Sequence, residues 1–380
     1  MKYSLVVIFI GLTFSFLIKP ERIFNVKHVQ PDSLQTVRLT FVGDIMCHGP
    51  EFESAKVAAD SFDFRPMFGA VKNFLSSSDL TFGNLETTIA GKNFKYSGYP
   101  LFNSPSALLY ALKDAGFDIL FTSNNHCMDR GEKGILNTIK KIRDNSLSYA
   151  GTNESQHDRD SIRTFDVHGI KIAVLAYTYG VNGNYIPKNA GYLVNLIDTL
   201  RIKNDIRSAR AKSIDVILVY FHFGMEYQRQ PNSYQQEIVK HAIAYGANII
   251  IGSHPHVIEP VQYFQSKDRN FPEGIVAYSL GNFISNQRWR YSDCGVILNL
   301  TLTKNIISKR VSISKTDFIP TWVFKGKAVK ENEFIILPSD TSEYPPPAYL
   351  SKADKRKLTE SFADTENLLR PSNDEKIFAK

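Results

Sequence analysis

An α/β fold is what this sequence predicts, on two observations. Short apolar runs rich in β-branched and aromatic residues alternate with segments of helical pattern, and each run is bounded by Gly, Asn or Asp. Bounded apolar runs of this length read as buried strands, and strands alternating with helices assemble parallel sheets. A third observation points to where function lies: most of the runs end in a residue able to bind a metal or move a proton. In such sheets, ligand sites assemble at the carboxyl ends of strands.

The 380-residue chain opens "MKYSLVVIFIGLTFSFLIKPER", with an uncharged apolar stretch from Tyr3 to Ile18 between Lys2 and Lys19. Residues 1–19 therefore read as an export signal or membrane anchor rather than part of the fold. The stretch is slightly short for a full span, although Lys2 and Lys19 can snorkel at its ends. No small-x-small cleavage site follows it and it holds no cysteine to lipidate. The expectation is an uncleaved single-pass anchor with the rest of the chain outside the cytoplasmic membrane, in preference to a secreted, cleaved protein. Residues 20 to 36 form a polar linker.

The strand-like runs follow in order: "VRLTFVGD" ending near Asp44, "DLTFGNLE" at Glu86, "FDILFTSNNH" at His126, "IKIAVLAYTYG", "IDVILVYFHFG" around His222, "ANIIIGSHPH" at His256, and "GIVAYSLGNFI". Between them, "SPSALLYALKDAG" predicts a helix capped by Ser104 with Pro105 at its first position and Gly116 at its end. "SYQQEIVKHAIAYG" predicts another, with Ser233 and Gln236 in capping-box spacing and Gly246 closing it. From Cys294 to about Lys325 the pattern turns into strands without intervening helices, the mark of antiparallel pairing. One domain over residues 37–330 is expected. Residues 338–380 read as a proline-broken linker and a surface helix or disordered tail.

The net charge of +7 comes from scattered residues and no nucleic-acid-binding motif is present, so nucleic acid is excluded as a partner and an acidic or phosphorylated one is weakly favoured. Three cysteines make no disulfide framework. Cys47 and Cys127 flank the motifs below, so they are either a single bridge or, with Cys294, small buried thiols.

"NIIIGSHPHVIEP" sets His254 and His256 two apart at a strand end, where alternation places both on one face and Pro255 stops the strand. Taken alone this is either a polar cap on a core strand or a pair of imidazole ligands. Asp44, Glu86, Asn125, His126 and His222 also stand at strand exits. Singly, Asp44 reads as a turn cap, Asn125 as a left-handed turn residue and His222 as a satisfied core histidine. The coincidence of all these residues at strand exits favours a site. Carboxylates, imidazoles and an amide oxygen suit one or two Mn, Fe or Zn ions, which lower the pKa of bound water. His126, beside a ligand but itself free, is placed to protonate a leaving group.

The motifs "GDIM", "GNLET", "NNHCMDRGEKG", "HFGMEY", "GSHPHV" and "SLGNF", in that order, resemble the bacterial capsule-synthesis CapA family associated with poly-γ-glutamate capsules, itself similar to calcineurin-like metallophosphoesterases. The resemblance covers roughly residues 37 to 290. It implies a metallophosphoesterase-like two-sheet mixed β-sandwich flanked by helices in an extracytoplasmic, membrane-attached setting. It also implies an anionic polymer or phosphoester as substrate and subunits of a capsule-synthesis complex as partners. Carried over, Asp44 and His256 would hold a first metal, and Glu86 would stand where phosphoesterases have a bridging aspartate. Asn125, His222 and His254 would hold a second metal, and His126 would be the catalytic acid. Glu226, Asp129 and Asn282 would shape the pocket or serve only in caps and loop hydrogen bonds. The phosphoesterase first motif is Asp-x-His, but Met46 stands where that histidine belongs and His48 is out of register. The first metal is therefore expected to be the weaker one. The departure keeps open a second reading, a non-catalytic polymer-binding or export subunit.

Overall fold

The computed structural model describes residues 33–369. The apolar segment expected as an anchor lies outside the described residues, and among these no helix is long and apolar enough to cross a membrane. In chain order the strands are β1 (Leu34–Ile45), β2 (Lys56–Ala58), β3 (Ser61–Phe62), β4 (Leu80–Leu85), β5 (Ile119–Phe121), β6 (Ser148–Ala150), β7 (Arg163–Val167) and β8 (Ile170–Thr178). They continue with β9 (Val216–His222), β10 (Ile249–Ser253), β11 (Val261–Gln265), β12 (Glu273–Ala277), β13 (Asn282–Ile284), β14 (Cys294–Asn305), β15 (Val311–Gly326) and β16 (Glu333–Pro338). The helices are α1 (Gly49–Ala55), α2 (Arg65–Phe68), α3 (Lys72–Ser76), α4 (Ala107–Ala115), α5 (Gly131–Asp144), α6 (Gln156–Asp160), α7 (Thr199–Arg210), α8 (Ser233–Tyr245) and α9 (Lys352–Leu369).

Two mixed sheets face each other. One is ordered β16-β15-β14-β1-β4-β5-β6 with β13 beside β1, the other β11-β12-β10-β9-β8-β7. Strands β1, β4, β5 and β6 run parallel, as do β8, β9, β10 and β12, while the antiparallel members lie toward the edges. Alternation sorts the side chains. Phe41, Phe82 and Phe121 of one sheet and Val174, Leu218, Tyr220 and Ile251 of the other fill the layer between the sheets. Leu120 points outward to Leu109, Leu112, Ile135 and Ile139 of α4 and α5. Val219 and Ile250 point outward to Ile206 of α7 and Val239 of α8. Each such aliphatic side chain, fully buried, contributes about 1.5–3 kcal/mol. The two-sheet sandwich flanked by helices is thus the architecture expected from the sequence.

Two helix starts differ from the expected ones. α4 begins at Ala107 with Ser106 at its N-cap, and Ser104 instead bonds Thr87 at 2.7 Å. α8 takes Asn232 as N-cap with Gln235 completing the capping box, one residue earlier than Ser233 and Gln236. Asn232 is as good an acceptor as serine, and an apolar pattern alone does not choose between neighbouring candidates. Both C-terminal glycines are as expected, Gly116 and Gly246 adopting φ of 105° and 109°. The cysteines are all free and buried. Strands β7 and β11, at the sheet edge and half-buried, carry too few apolar residues to show in the sequence.

The carboxyl-terminal stretch is more than a surface tail. α9 lies against β15, and Leu350, Leu358 and Leu369 join the layer between the sheets. Replacing Leu358, which is fully buried, by Ala is expected to destabilise the fold by about 2–5 kcal/mol in urea unfolding, the usual cost of such a cavity. A loss below 0.5 kcal/mol would mean that α9 is only loosely attached.

Candidate metal centre

The carboxyl ends of the parallel strands in both sheets converge at one end of the sandwich. In β1, Val37, Leu39 and Phe41 face the inner layer, yet Ile45 faces the outer one. A register shift between Phe41 and Asp44 reverses the phase by one residue and turns Asp44 inward. Gly43 permits it: a Cβ there would lie 1.8 Å from the carbonyl oxygen of Gly281. In β9 unbroken alternation continues from Val216, Leu218 and Tyr220 to His222, which therefore faces the same space.

There the side chains form one buried network. Asp44 accepts hydrogen bonds from Asn84 Nδ2 at 2.8 Å and from the Ser253 hydroxyl, and its other oxygen lies 3.0 Å from His256 Nδ1. Glu86 accepts from Asn84 Nδ2 at 3.0 Å, and its free oxygen stands 3.7 Å from His222 Nε2 and 3.8 Å from His256 Nε2. His222 Nε2 lies 3.0 Å from Asn125 Oδ1, with Tyr220 holding the other nitrogen at 3.1 Å. The His254 ring is 4.8 Å from that of His222 and 6.0 Å from that of His256. His256 Nδ1 has only acceptors near it, Asp44 and, at 3.2 Å, Asn282 Oδ1, because Asn282 Nδ2 is committed to Gln287 and Ser292. It therefore carries the proton and leaves Nε2 with a free lone pair.

The electrostatics are those of a cation site. Burial raises the Asp44 carboxyl, but the His256 hydrogen bond and the nearby imidazoles outweigh it and hold Asp44 ionised far below the usual range. Burial, then the charge of Asp44, push Glu86 well above its ordinary value. Burial and the neighbouring imidazoles depress His222 strongly and His254 to about 3, so both rings stay neutral, the form that binds metals. Among the described residues, Glu86 Oε1 and His254 Nδ1 are buried without a hydrogen-bond partner. A buried, unpaired carboxylate oxygen and imidazole nitrogen are costly, and a divalent cation satisfies both at once. Two groups bring their ligand atoms within 4.8 Å of one another: Glu86 with His254 and His256, and Asp44 with Glu86 and His222. Glu86 is common to both groups, as a residue in the bridging position would be, but His254 groups with His256 and His222 with Asp44, across the division suggested by the resemblance.

His126 stands at the rim. Its Nδ1 lies 2.8 Å from Asp129 Oδ2, which also accepts from the Phe102 backbone at 2.7 Å, while Nε2 faces Asn182 at 3.4 Å. Asp129 thus orients His126 rather than capping a helix. Asn282 orients His256, and Glu226 is exposed beside Tyr227, which it bonds. Met46 is buried with its sulfur near the Ser285 hydroxyl. His48 meets Glu51 at 3.4 Å and accepts from the Asn286 backbone, so it does not stand in for the missing histidine. Sequence reasoning missed Asn84, which donates to both carboxylates, and Asn124, which donates to Asn84 and to the Leu85 carbonyl. Their only signal is that each lies beside a ligand in "GNLE" and "NNH".

The His-Pro-His stretch is strained. His254 and His256 have φ of 103° and 58°, unusual for non-glycine residues and costing on the order of 1–3 kcal/mol each. The Pro255 carbonyl is held by the Tyr227 amide at 2.7 Å, and Glu259 N–H by Ser279 O at 3.1 Å. Buried behind the stretch, Glu259 accepts from Gln235 of α8 at 2.6 Å.

The profile of the family described as bacterial capsule synthesis protein PGA_cap matches residues 38–287, which include all seven residues singled out at this centre. The chain belongs to this family. Similar proteins include the capsule biosynthesis protein CapA of Bacillus anthracis, 29% identical over 76% of this chain and 68% of that one. The PGA biosynthesis protein CapA of Bacillus subtilis is 30% identical over 70% of this chain and 68% of that one. Similar solved structures include the calcineurin-like phosphoesterase YfkN from Bacillus subtilis, 12% identical with a TM-score of 0.43 over 88% of this chain and 97% of that one.

Two outcomes follow from this geometry. Because Glu86 belongs to both ligand groups, Glu86→Gln is expected to lower bound metal at every position, read by elemental analysis after gel filtration. Loss of only part of the metal would assign Glu86 to one ion. Glu259 is pushed up to about 8 by burial, against an ordinary 4.5, so between those pH values the folded chain holds a proton that the unfolded chain has released. Native stability then falls as pH rises from about 4.5 to 8, and Glu259→Gln removes that slope. The variant should gain on the order of 2 kcal/mol over the parent by pH 8 in urea titrations, and parallel pH profiles would refute the buried, protonated state.

Proposed function

We propose that this protein is a metal-dependent, phosphoesterase-like hydrolase acting at the outer face of the cytoplasmic membrane in the synthesis of a capsular polymer of the poly-γ-glutamate type. The observation that carries the hydrolase reading is the coincidence, at one buried point, of partnerless Glu86 and His254 atoms with the His126–Asp129 pair at the rim. Asp44, Glu86, Asn125, His222, His254 and His256 would hold one or two ions, whose donor set of carboxylates, imidazoles and an amide suits Mn, Fe or Zn. Bound there, such an ion supplies Lewis acidity and an activated water.

The chain's own residues supply the rest. Asp129 fixes the His126 ring so that Nε2 points away from the carboxylate, where it can deliver a proton to a departing oxygen. Asn182, 3.4 Å from that nitrogen, is placed to steady the same oxygen. Burial of Asp44 and Glu86 excludes water from the floor of the site and keeps the charge of Asp44 unscreened.

Met46, at the place where a further imidazole would sit, favours a second reading: a polymer-binding or export subunit without turnover. His126→Asn separates the two. For a hydrolase the variant should retain its metal while phosphoester cleavage falls about 10²–10⁴-fold, the usual worth of a general acid. Unchanged capsule assembly by the variant in cells, together with no cleavage by the parent protein, would favour the binding subunit.

A further inference from the structure

The floor of the centre is polar, but its mouth is aromatic. Four of the eight strongly exposed aromatic side chains among the described residues surround this one opening. Tyr179, 43% exposed, follows β8 and sets its ring 4.7 Å from that of His254. Tyr227, 40% exposed, follows β9 and lies 6.1 Å from His256. Trp289, 49% exposed, meets Tyr227 edge-on at 5.1 Å. Tyr99, 74% exposed, lies 6.4 Å from His126. Single exposed rings are ordinary, but rings gathered from four loops at one opening mark a binding surface.

The same loops are held rather than loose. Arg229 and Arg290 stack on Tyr291 at 4.1 and 5.0 Å. Arg229 donates to the Asp364 backbone at 2.7 Å and Arg290 to the Asp364 carboxylate at 2.8 Å, so α9 ties together the segments that carry Tyr227 and Trp289. Those two cations are therefore engaged. Around the centre, the carboxylates of Asp44, Glu226 and Asp129 bear on Glu86. Beyond its metals, the opening offers a chain of repeated carboxylates aromatic faces and further negative charge.

We infer that the mouth selects a phosphoester whose alcohol part bears a ring with an apolar face, a sugar or an aromatic base, laid against Tyr179, Tyr227 and Trp289 while the phosphoryl group reaches the metals. The assignment rests on the metal-hydrolase reading and adds the substrate class to it. Rings stack face to face or edge to face with aromatic side chains, and the apolar face of a pyranose packs on them in the same way. An open-chain ester gains nothing from these walls.

The test is calorimetric binding of two inert probes, phenylphosphonate and methylphosphonate, to the metal-loaded full chain. The ring-bearing probe should bind about 10-fold more tightly, and Tyr179→Ala and Tyr227→Ala should each erode that preference about 3- to 10-fold. Methylphosphonate affinity should fall less than phenylphosphonate affinity in both variants, and Tyr227→Phe should keep the preference. Equal binding of the two probes overturns the ring assignment, whereas failure of both to bind overturns the metal centre on which it rests. Competition by a hexose phosphate, a nucleoside monophosphate and glycerol phosphate then identifies the source of the ring. Displacement by either ring-bearing ester alone supports the assignment, and equal displacement by glycerol phosphate overturns it.

Discussion

Two carboxylates, Asp44 and Glu86, are completely buried at the same point between the sheets, joined through Asn84, which donates to both. Like charges that close inside a protein repel strongly, and each ionised carboxylate costs several kcal/mol to remove from water. His256 donates a hydrogen bond to Asp44, but among the described residues the free oxygen of Glu86 has no hydrogen-bond partner. The arrangement makes physical sense around a cation. Much of the surrounding architecture serves to hold it: the bulge in β1, the asparagines behind the ligands and the strained turn at His254.

The asparagines deserve the same weight as the ligands they support. Asn84, Asn124 and Asn282 fix the carboxylates, the β4 and β5 loops and His256 respectively. Partners that orient ligands decide which ring nitrogen carries the proton and how tightly a metal is held. His256 shows it directly: two acceptors against Nδ1 leave Nε2 turned toward Glu86.

Met46 gives the centre an asymmetry. Where an imidazole would complete one side, there is a buried thioether, and His48 is occupied with Glu51 and Asn286. With Glu86 common to both ligand groups, the loss on one side is partly offset by a shared carboxylate. Membership of the PGA_cap family ties the chain to relatives named for capsule biosynthesis, and exposed aromatic side chains gather at the opening above the centre.

Much of this protein was determined by its sequence alone. Alternating buried strands and helices, the antiparallel strands from Cys294 and the glycine helix ends at Gly116 and Gly246 are local signals, set by side-chain periodicity and backbone freedom. Asp44, Glu86, Asn125, His126, His222, His254 and His256 were legible because parallel strands place their exits at one end of a sheet. Only the tertiary structure decided how these residues combine. A one-residue bulge at Gly43, invisible in composition, is what turns Asp44 inward. Through-space distances grouped His254 with His256 and His222 with Asp44, gave Asp129 to His126 and took His48 elsewhere. The polar α9 segment joined the core because its few leucines meet the gap between two sheets, a gap that exists only once both have formed.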